Sequence, residues 1–190
     1  MSLIPAFEIG IWNAWIPMLY SLIPAFFLAP IISKSREKED NFTTEFNKMQ
    51  KNALLSFHTI YLLLVIYSIF LPLKLGTVWF YVGVPICLLG LILFTIVFVN
   101  FAATPPDKPV TKGIYRYSKH PMYLTSFLAF IGVGIASASW VFLLLSVVYI
   151  ILTSLIVVSE ERFCLKHYGD AYREYMNRTP RWIGIPKSGD

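Results

Sequence analysis

Charge is spread so unevenly along this chain that its gaps alone restrict the fold. No Asp, Glu, Lys or Arg occurs in residues 9–33, 52–73, 75–106 or 121–159. A spanning helix needs roughly 20 apolar residues to cross about 30 Å of hydrocarbon. Each of the first three gaps holds one such helix. The fourth holds two, joined by a tight turn at Ser137-Ala138-Ser139. The pattern predicts an all-α integral membrane helical bundle of about five transmembrane helices, at 7–32, 53–72, 77–103, 121–136 and 140–159. The last two form a C-terminal helical hairpin, and 160–190 is a cytoplasmic tail with its own short helix. A composition of 56% hydrophobic and 14% charged residues lies far from globular averages and agrees. At 190 residues, 1–190 is read as a single membrane domain.

Basic residues set the expected orientation. Lys34, Arg36, Lys38, Lys48 and Lys51 follow the first span, and Lys108, Lys112, Arg116 and Lys119 follow the third. Arg162, Lys166, Arg173, Arg178, Arg181 and Lys187 follow the fifth, which leaves only Lys74 of the 16 on the opposite side. The N-terminus is therefore expected outside, with the tail and any site near it cytoplasmic. Trp12, Trp15, Trp79, Tyr81 and Trp140 then fall near the outer interface, where amphipathic rings settle. The net charge of +5 follows from this orientation and from contact with anionic membrane lipids, and does not argue for nucleic acid. No secretory leader is read at the start.

Local signals refine the picture. Pro17, Pro24 and Pro30 are expected to kink or end the first span. Spans two and three read as a hairpin across Pro72–Thr77. Thr104-Pro-Pro-Asp-Lys-Pro109 cannot be helical and is expected to run as an extended strip along the membrane surface. His120-Pro121 marks a helix start. The fifth helix is expected to continue to Tyr168, capped by Gly169, with Asp170 capping a short helix at 171–176 that places Tyr172 and Tyr175 on one face. Cys87 and Cys164 lie far apart in the predicted topology, so neither a disulfide nor a metal site is expected. His58, mid-span, is expected to make an interhelical hydrogen bond.

The chemistry gathers at one end of the last two spans. Lys112-Gly-Ile-Tyr-Arg-Tyr-Ser-Lys-His-Pro-Met-Tyr123 leads into span four, and Glu160-Glu161 leaves span five. A helix N-terminus there favours an anion. The faces of Tyr115, Tyr117, Tyr123, Tyr172 and Tyr175 suit an adenine or a cation. A carboxylate at that depth needs a partner, such as a ribose diol or an ammonium. The set suits a zwitterionic, adenine-bearing ligand such as S-adenosylmethionine, with NADPH a weaker match.

Gly113-Ile-Tyr-x3-Lys-His-Pro-Met-Tyr123, the Glu160-Glu161 pair and Tyr168-Gly-Asp-x-Tyr-x-x-Tyr175 resemble the isoprenylcysteine carboxyl methyltransferase family, whose signature phospholipid and thiol methyltransferases share. The resemblance covers residues 100–182 and implies a membrane S-adenosylmethionine-dependent methyltransferase with a cytoplasmic cofactor pocket. It further implies a lipid-like or small apolar acceptor entering from the bilayer: an isoprenylcysteine-type carboxylate, a lipid amine or a thiol. It assigns cofactor contacts to Asn100, Lys108, Pro109, Val110, Tyr115, His120, Pro121, Met122, Tyr123 and Glu160. Carboxyl methyltransferases of this kind carry an arginine one turn before the first glutamate, where this chain has Ile156. That departure shifts weight from a carboxylate acceptor toward an amine, a thiol or another apolar acceptor. His120 and Glu161 are the candidate bases for an acceptor that must lose a proton.

Two other readings compete. His-Pro and Tyr-Gly-x-x-Tyr also resemble NADPH-dependent sterol-type membrane reductases, although those carry Arg-Asp where this chain has Glu-Glu. A non-catalytic scaffold or transporter would bind neither cofactor. A nucleotide-binding titration separates all three. For single residues the plain roles are capping by His120, ion pairing of Glu161 with Arg162 or Arg181, and headgroup anchoring by Arg178, Arg181 and Trp182.

Overall fold

The computed structural model describes residues 9–23, 26, 46–105 and 107–186. Its helices are α1 (residues 15–23), α2 (Lys48–Ile69), α3 (Val78–Ala102), α4 (Pro121–Ala136), α5 (Trp140–Tyr168) and α6 (Asp170–Arg178), with a 3₁₀ turn at Gly113–Arg116. Among the described residues there is no strand, only an isolated bridge between Asn13 and Pro72. α2, α3 and α5 are long and apolar enough to cross a membrane, and α4 is apolar but shorter, at 16 residues. Of the expected first span, 7–32, residues 7–8, 24–25 and 27–32 lie outside the described residues, Pro24 and Pro30 among them.

Helix ends follow their local chemistry. α2 starts five residues before the expected span because Asn47 and Gln50 form a capping box: Gln50 N–H donates to Asn47 Oδ1 at 2.8 Å, and Asn47 N–H to Gln50 Oε1 at 3.0 Å. The α4–α5 turn falls at Ser137–Ser139, as its sequence suggests, with Ala138 in the left-handed region and Ser139 capping α5. α5 runs unbroken to Tyr168, and Gly169 turns the chain with φ +59°. Asp170 is the first residue of α6 rather than its cap; its exposed carboxylate lies 3.7 Å from Arg173.

The packing departs from the expected hairpin of the second and third spans. α3 packs chiefly on α4, while α2 packs chiefly on α5. The reason is written in small residues. A Cβ on Gly83 would lie 2.2 Å from the backbone of Ala136, one on Gly90 2.4 Å from that of Ala129, and one on Gly132 2.2 Å from that of Cys87. These positions let α3 and α4 approach backbone to backbone, the arrangement small residues favour between helices in lipid. α2 instead offers bulky groups to α5. Phe57 lies 4.9 Å from the Tyr149 ring, and Phe46 and Ala53 pack with Ile156, which is 1% exposed.

One end of the bundle is closed by backbone hydrogen bonds. Ala14 N–H donates to Leu71 O, Leu73 N–H to Trp12 O, and Lys74 N–H to Ala136 O, so the N-terminal segment, the α2–α3 loop and the α4–α5 turn meet. Asn13 Nδ2 donates to Ile69 O at 2.7 Å, satisfying a carbonyl that the end of α2 leaves open. Trp12, Trp79, Tyr81 and Trp140 are exposed around this end. His58 departs from expectation: its Nδ1 meets Leu54 O at 2.7 Å within α2, and its ring is exposed.

Candidate functional site

The opposite end carries the chemistry. Beyond α3 the chain descends through 104–111 into the 3₁₀ turn, where Gly113 adopts φ +63° directly over Asn100. A Cβ there would sit 2.1 Å from Asn100 Nδ2, so the close approach requires glycine. The turn buries Tyr115 and delivers His120 to the cap position of α4, with Pro121 as the first helical residue. The His120 side chain does not cap the helix; it turns toward α5.

There the imidazole lies between two carboxylates. Its Nδ1 is 3.2 Å from Glu160 Oε2, and its Nε2 is 3.3 Å from Glu161 Oε1. Tyr123, one turn along α4, donates its hydroxyl to Glu160 Oε1 at 2.5 Å. Glu161, 4% exposed, also receives Lys119 Nζ at 3.0 Å and Arg181 through Nε at 3.0 Å and Nη2 at 2.6 Å. Burial alone would lower the pKa of His120, but hydrogen bonds and charge from Glu160 and Glu161 outweigh it and raise the pKa above the ordinary value. Burial would raise that of Glu161, yet hydrogen bonds from His120, Arg181 and Lys119 hold it far below the usual carboxylate range. The imidazole thus lies between two carboxylates, and their contacts favour its protonated form.

The tail completes this end. Tyr175 donates its hydroxyl to Tyr115 O at 2.8 Å and approaches Ser118 O at 3.3 Å, which fastens α6 beneath the motif. Lys119 N–H donates to Pro180 O, and Gly184 N–H to Tyr117 O, laying 180–184 alongside 117–119. The Trp182 ring lies 6.2 Å from that of His120. Trp182 therefore faces inward, and Arg181 reaches in to Glu161 while its side chain stays 45% exposed; Arg178 pairs with Glu174 on the surface. Arg162 takes no part in the Glu161 ion pairs.

A cavity of about 350 Å³ opens among these elements. Pro109, Val110 and Tyr115 form one side of it; His120, Pro121, Met122, Tyr123 and Glu160 form another. Two expected residues stand apart from its lining. Lys108 lines a separate surface depression with Arg116 and Arg178, because the strip turns its side chain away from α5. Asn100 lies behind Gly113, where its buried Nδ2 makes no hydrogen bond. Glu161 is also outside the lining, one residue round the helix from Glu160. Tyr172 and Tyr175 contribute to the wall, whereas Tyr117 is 53% exposed.

The sequence reading missed Phe101, Lys119, Phe163, Cys164 and Tyr168, which also line the cavity. Their signal was present, since Phe163, Cys164 and Tyr168 repeat the face of α5 that carries Glu160, at spacings of three, four and eight from it. Neither Cys87 nor Cys164 is in a disulfide, and Cys87 is buried in the α3–α4 seam.

Three apolar helices of spanning length and a cavity of ligand size at one end are the features of a helical membrane protein with room for a small molecule. Residues 78–171 match the family model described as phospholipid methyltransferase. The chain is also 35% identical over 78 residues to a protein-S-isoprenylcysteine O-methyltransferase of Schizosaccharomyces pombe, a match covering 40% of this chain and 32% of that protein. The chain thus aligns with about a third of that relative's length. The stretch that supplies most of the cavity wall is thus similar to membrane methyltransferases of the phospholipid and isoprenylcysteine type. No solved structure matches it significantly.

Proposed function

We propose that the protein is an integral membrane S-adenosylmethionine-dependent methyltransferase acting on a lipid-like or small apolar acceptor that enters from the bilayer. The observation that carries this reading is the cavity itself, whose walls come from α3, α4, α5 and the connecting strip within the family-matched stretch, closed by α6. Its donor set fits the cofactor. Glu160 presents a carboxylate suited to a ribose diol or an ammonium, Lys119 and His120 present cations suited to a carboxylate, and the tyrosine rings present faces suited to adenine. Pro109, Val110, Tyr115, Pro121 and Met122 supply the apolar contacts, and the roles first given to Asn100 and Lys108 are dropped from the direct contact set.

When bound, S-adenosylmethionine supplies a methyl group already activated by a sulfonium. The protein's task is therefore positioning and exclusion of water. Glu160 is held on both oxygens, by Tyr123 and by His120, so it enters binding already oriented. Phe101, Met122 and Phe163 form the drier part of the wall, on the side where an apolar acceptor would approach. We assign Glu161 no role as a base, because three cations already occupy its carboxylate. His120, whose carboxylate neighbours favour its protonated form, is likewise a poor base, which favours an acceptor that need not lose a proton before attack, such as a neutral amine.

Ile156 bears on the acceptor. It lies 1% exposed in an apolar cluster with Phe46 and Ala53, where a carboxylate would find no partner. With no cation at this position, which lies outside the cavity lining, a neutral amine or another apolar acceptor is favoured over a prenylcysteine carboxylate. By the distribution of basic residues, the N-terminus is placed outside and the cavity on the cytoplasmic side.

The test is incubation of the purified protein with radiolabelled S-adenosylmethionine and a membrane lipid extract, beside a binding titration with S-adenosylmethionine and NADPH. Label in the lipid fraction and selective affinity for the first cofactor are expected. Selective NADPH affinity would remove the methyltransferase reading.

A further inference from the structure

The family match ends at residue 171, but the charged network around the cavity does not. Arg181 lies ten positions further on and outside the cavity lining, yet it grips Glu161 with two nitrogens. Glu161 in turn meets His120 Nε2, the other nitrogen of that ring meets Glu160, and Glu160 faces the cavity. A continuous chain of contacts therefore joins a tail residue to the cavity wall: Arg181, Glu161, His120, Glu160 and Tyr123. We propose that Arg181 and Glu161 are positioning residues that act through His120, fixing the imidazolium and thereby the Glu160 carboxylate that receives the ligand. This rests on the cofactor reading above only for what the cavity holds; the chain of contacts stands on the geometry.

The physical case is one of compensation. A buried carboxylate costs several kcal/mol unless its lone pairs are satisfied. Glu161 is satisfied by Lys119, His120 and Arg181 together, and only Arg181 offers the planar two-point grip that fixes the carboxylate plane. With that plane fixed, Oε1 is aimed at Nε2, and the ring cannot rotate without losing both carboxylates. The charged and titratable groups facing His120 are Glu160 and Glu161 on α5, Lys119 beside it and Tyr123 on α4; Trp182 of the tail covers the ring. The tail is held against the motif by the backbone bonds at Lys119 and Gly184, which keeps Arg181 in reach.

Two measurements test this in detergent-solubilised full-length protein. The first is the affinity for S-adenosylmethionine across pH 5.5–9 for wild type, Arg181→Met, Arg181→Lys and Glu161→Gln, with Arg178→Met as a surface control. Arg181→Met is expected to weaken binding by roughly tenfold, Arg181→Lys to recover part of that loss, and Arg178→Met to bind as wild type does. In Glu161→Gln the affinity is expected to fall at lower pH than in wild type, because the imidazolium has lost one of its two anions. The second is the titration of His120 by NMR without cofactor, where Glu161→Gln must lower the midpoint. An unchanged His120 midpoint would overturn the proposal even for a variant that folds and binds poorly. Wild-type affinity in Arg181→Met would do the same. Absence of cofactor binding in wild type, with the His120 midpoint still shifted in Glu161→Gln, would remove the cofactor reading and leave the relay standing.

Discussion

Tyr123 and Glu160 meet across the junction of α4 and α5, hydroxyl to carboxylate at 2.5 Å, on the wall of the cavity. The bond joins the first turn of one helix to a residue five turns along the other, so it couples the shape of the cavity to the closure of the hairpin. A hydrogen bond to a charged group contributes about 1.5–3 kcal/mol. Tyr123→Phe is expected to weaken S-adenosylmethionine binding by roughly tenfold or more, and Glu160→Gln to do so more strongly, while both proteins still fold. Calorimetric or fluorescence titration of the purified variants measures this; unchanged affinity in Glu160→Gln would remove the carboxylate from the binding site.

Stability should depend on pH through His120. The folded-state pKa is raised above the ordinary value of about 6.5. Its contribution is therefore complete below about pH 6.5 and is lost as pH rises through the folded value. Melting temperature measured between about pH 6 and 9 should fall across that window in wild type and vary less in His120→Asn. Parallel profiles for the two would show that the imidazole is not held as a cation.

The α3–α4 seam should separate two glycines that look alike in sequence. A methyl on Gly132 would meet backbone atoms of Cys87 at 2.2 and 2.5 Å, whereas one on Gly134 would first meet the Leu143 side chain, which can rotate. Gly132→Ala is expected to cost at least the upper end of about 1–3 kcal/mol and Gly134→Ala clearly less. Thermal unfolding in detergent ranks them, and equal midpoints would mean the helices are free to move apart.

Tyr175→Phe would strip the hydroxyl from two buried carbonyls, those of Tyr115 and Ser118. The expected cost of about 1–3 kcal/mol falls on the docking of α6 rather than on the bundle. Hydrogen exchange should therefore accelerate in 170–184 and stay unchanged in α3. His58→Leu, by contrast, should alter stability by no more than about 0.5 kcal/mol, because that ring is exposed and bonded within its own helix.

The bundle was legible because charge gaps and Pro, Ser and Gly signals are local. The α4–α5 turn at Ser137–Ser139 and the end of α5 at Gly169 both follow from residues within a few positions. What was not legible was pairing between helices. Pro72–Thr77 is short enough for a packed hairpin, yet the glycines at 83, 90 and 132 commit α3 to α4 instead. The cavity divides in the same way. His120, Tyr123 and Glu160 could be read from their motif, while Phe163, Cys164 and Tyr168 share the face of Glu160 on a helix already expected to reach Tyr168, but no motif singles them out. Lys108 was misplaced because a strip between prolines does not reveal which way its side chains turn.

The partnership of α2 with α5 has a consequence for biogenesis. During synthesis α2 leaves the ribosome long before its main companion exists, and α3, which follows it directly, takes α4 as its own. Phe46 and Ala53 must wait for Ile156, more than a hundred residues downstream, before their apolar contacts can close. Until then α2 has only the N-terminal segment and α1 against it, through the Asn13–Ile69 and Ser21–Tyr61 bonds, and the cavity end cannot close. It forms in a single late step, when the last long helix arrives and the tail folds beneath it.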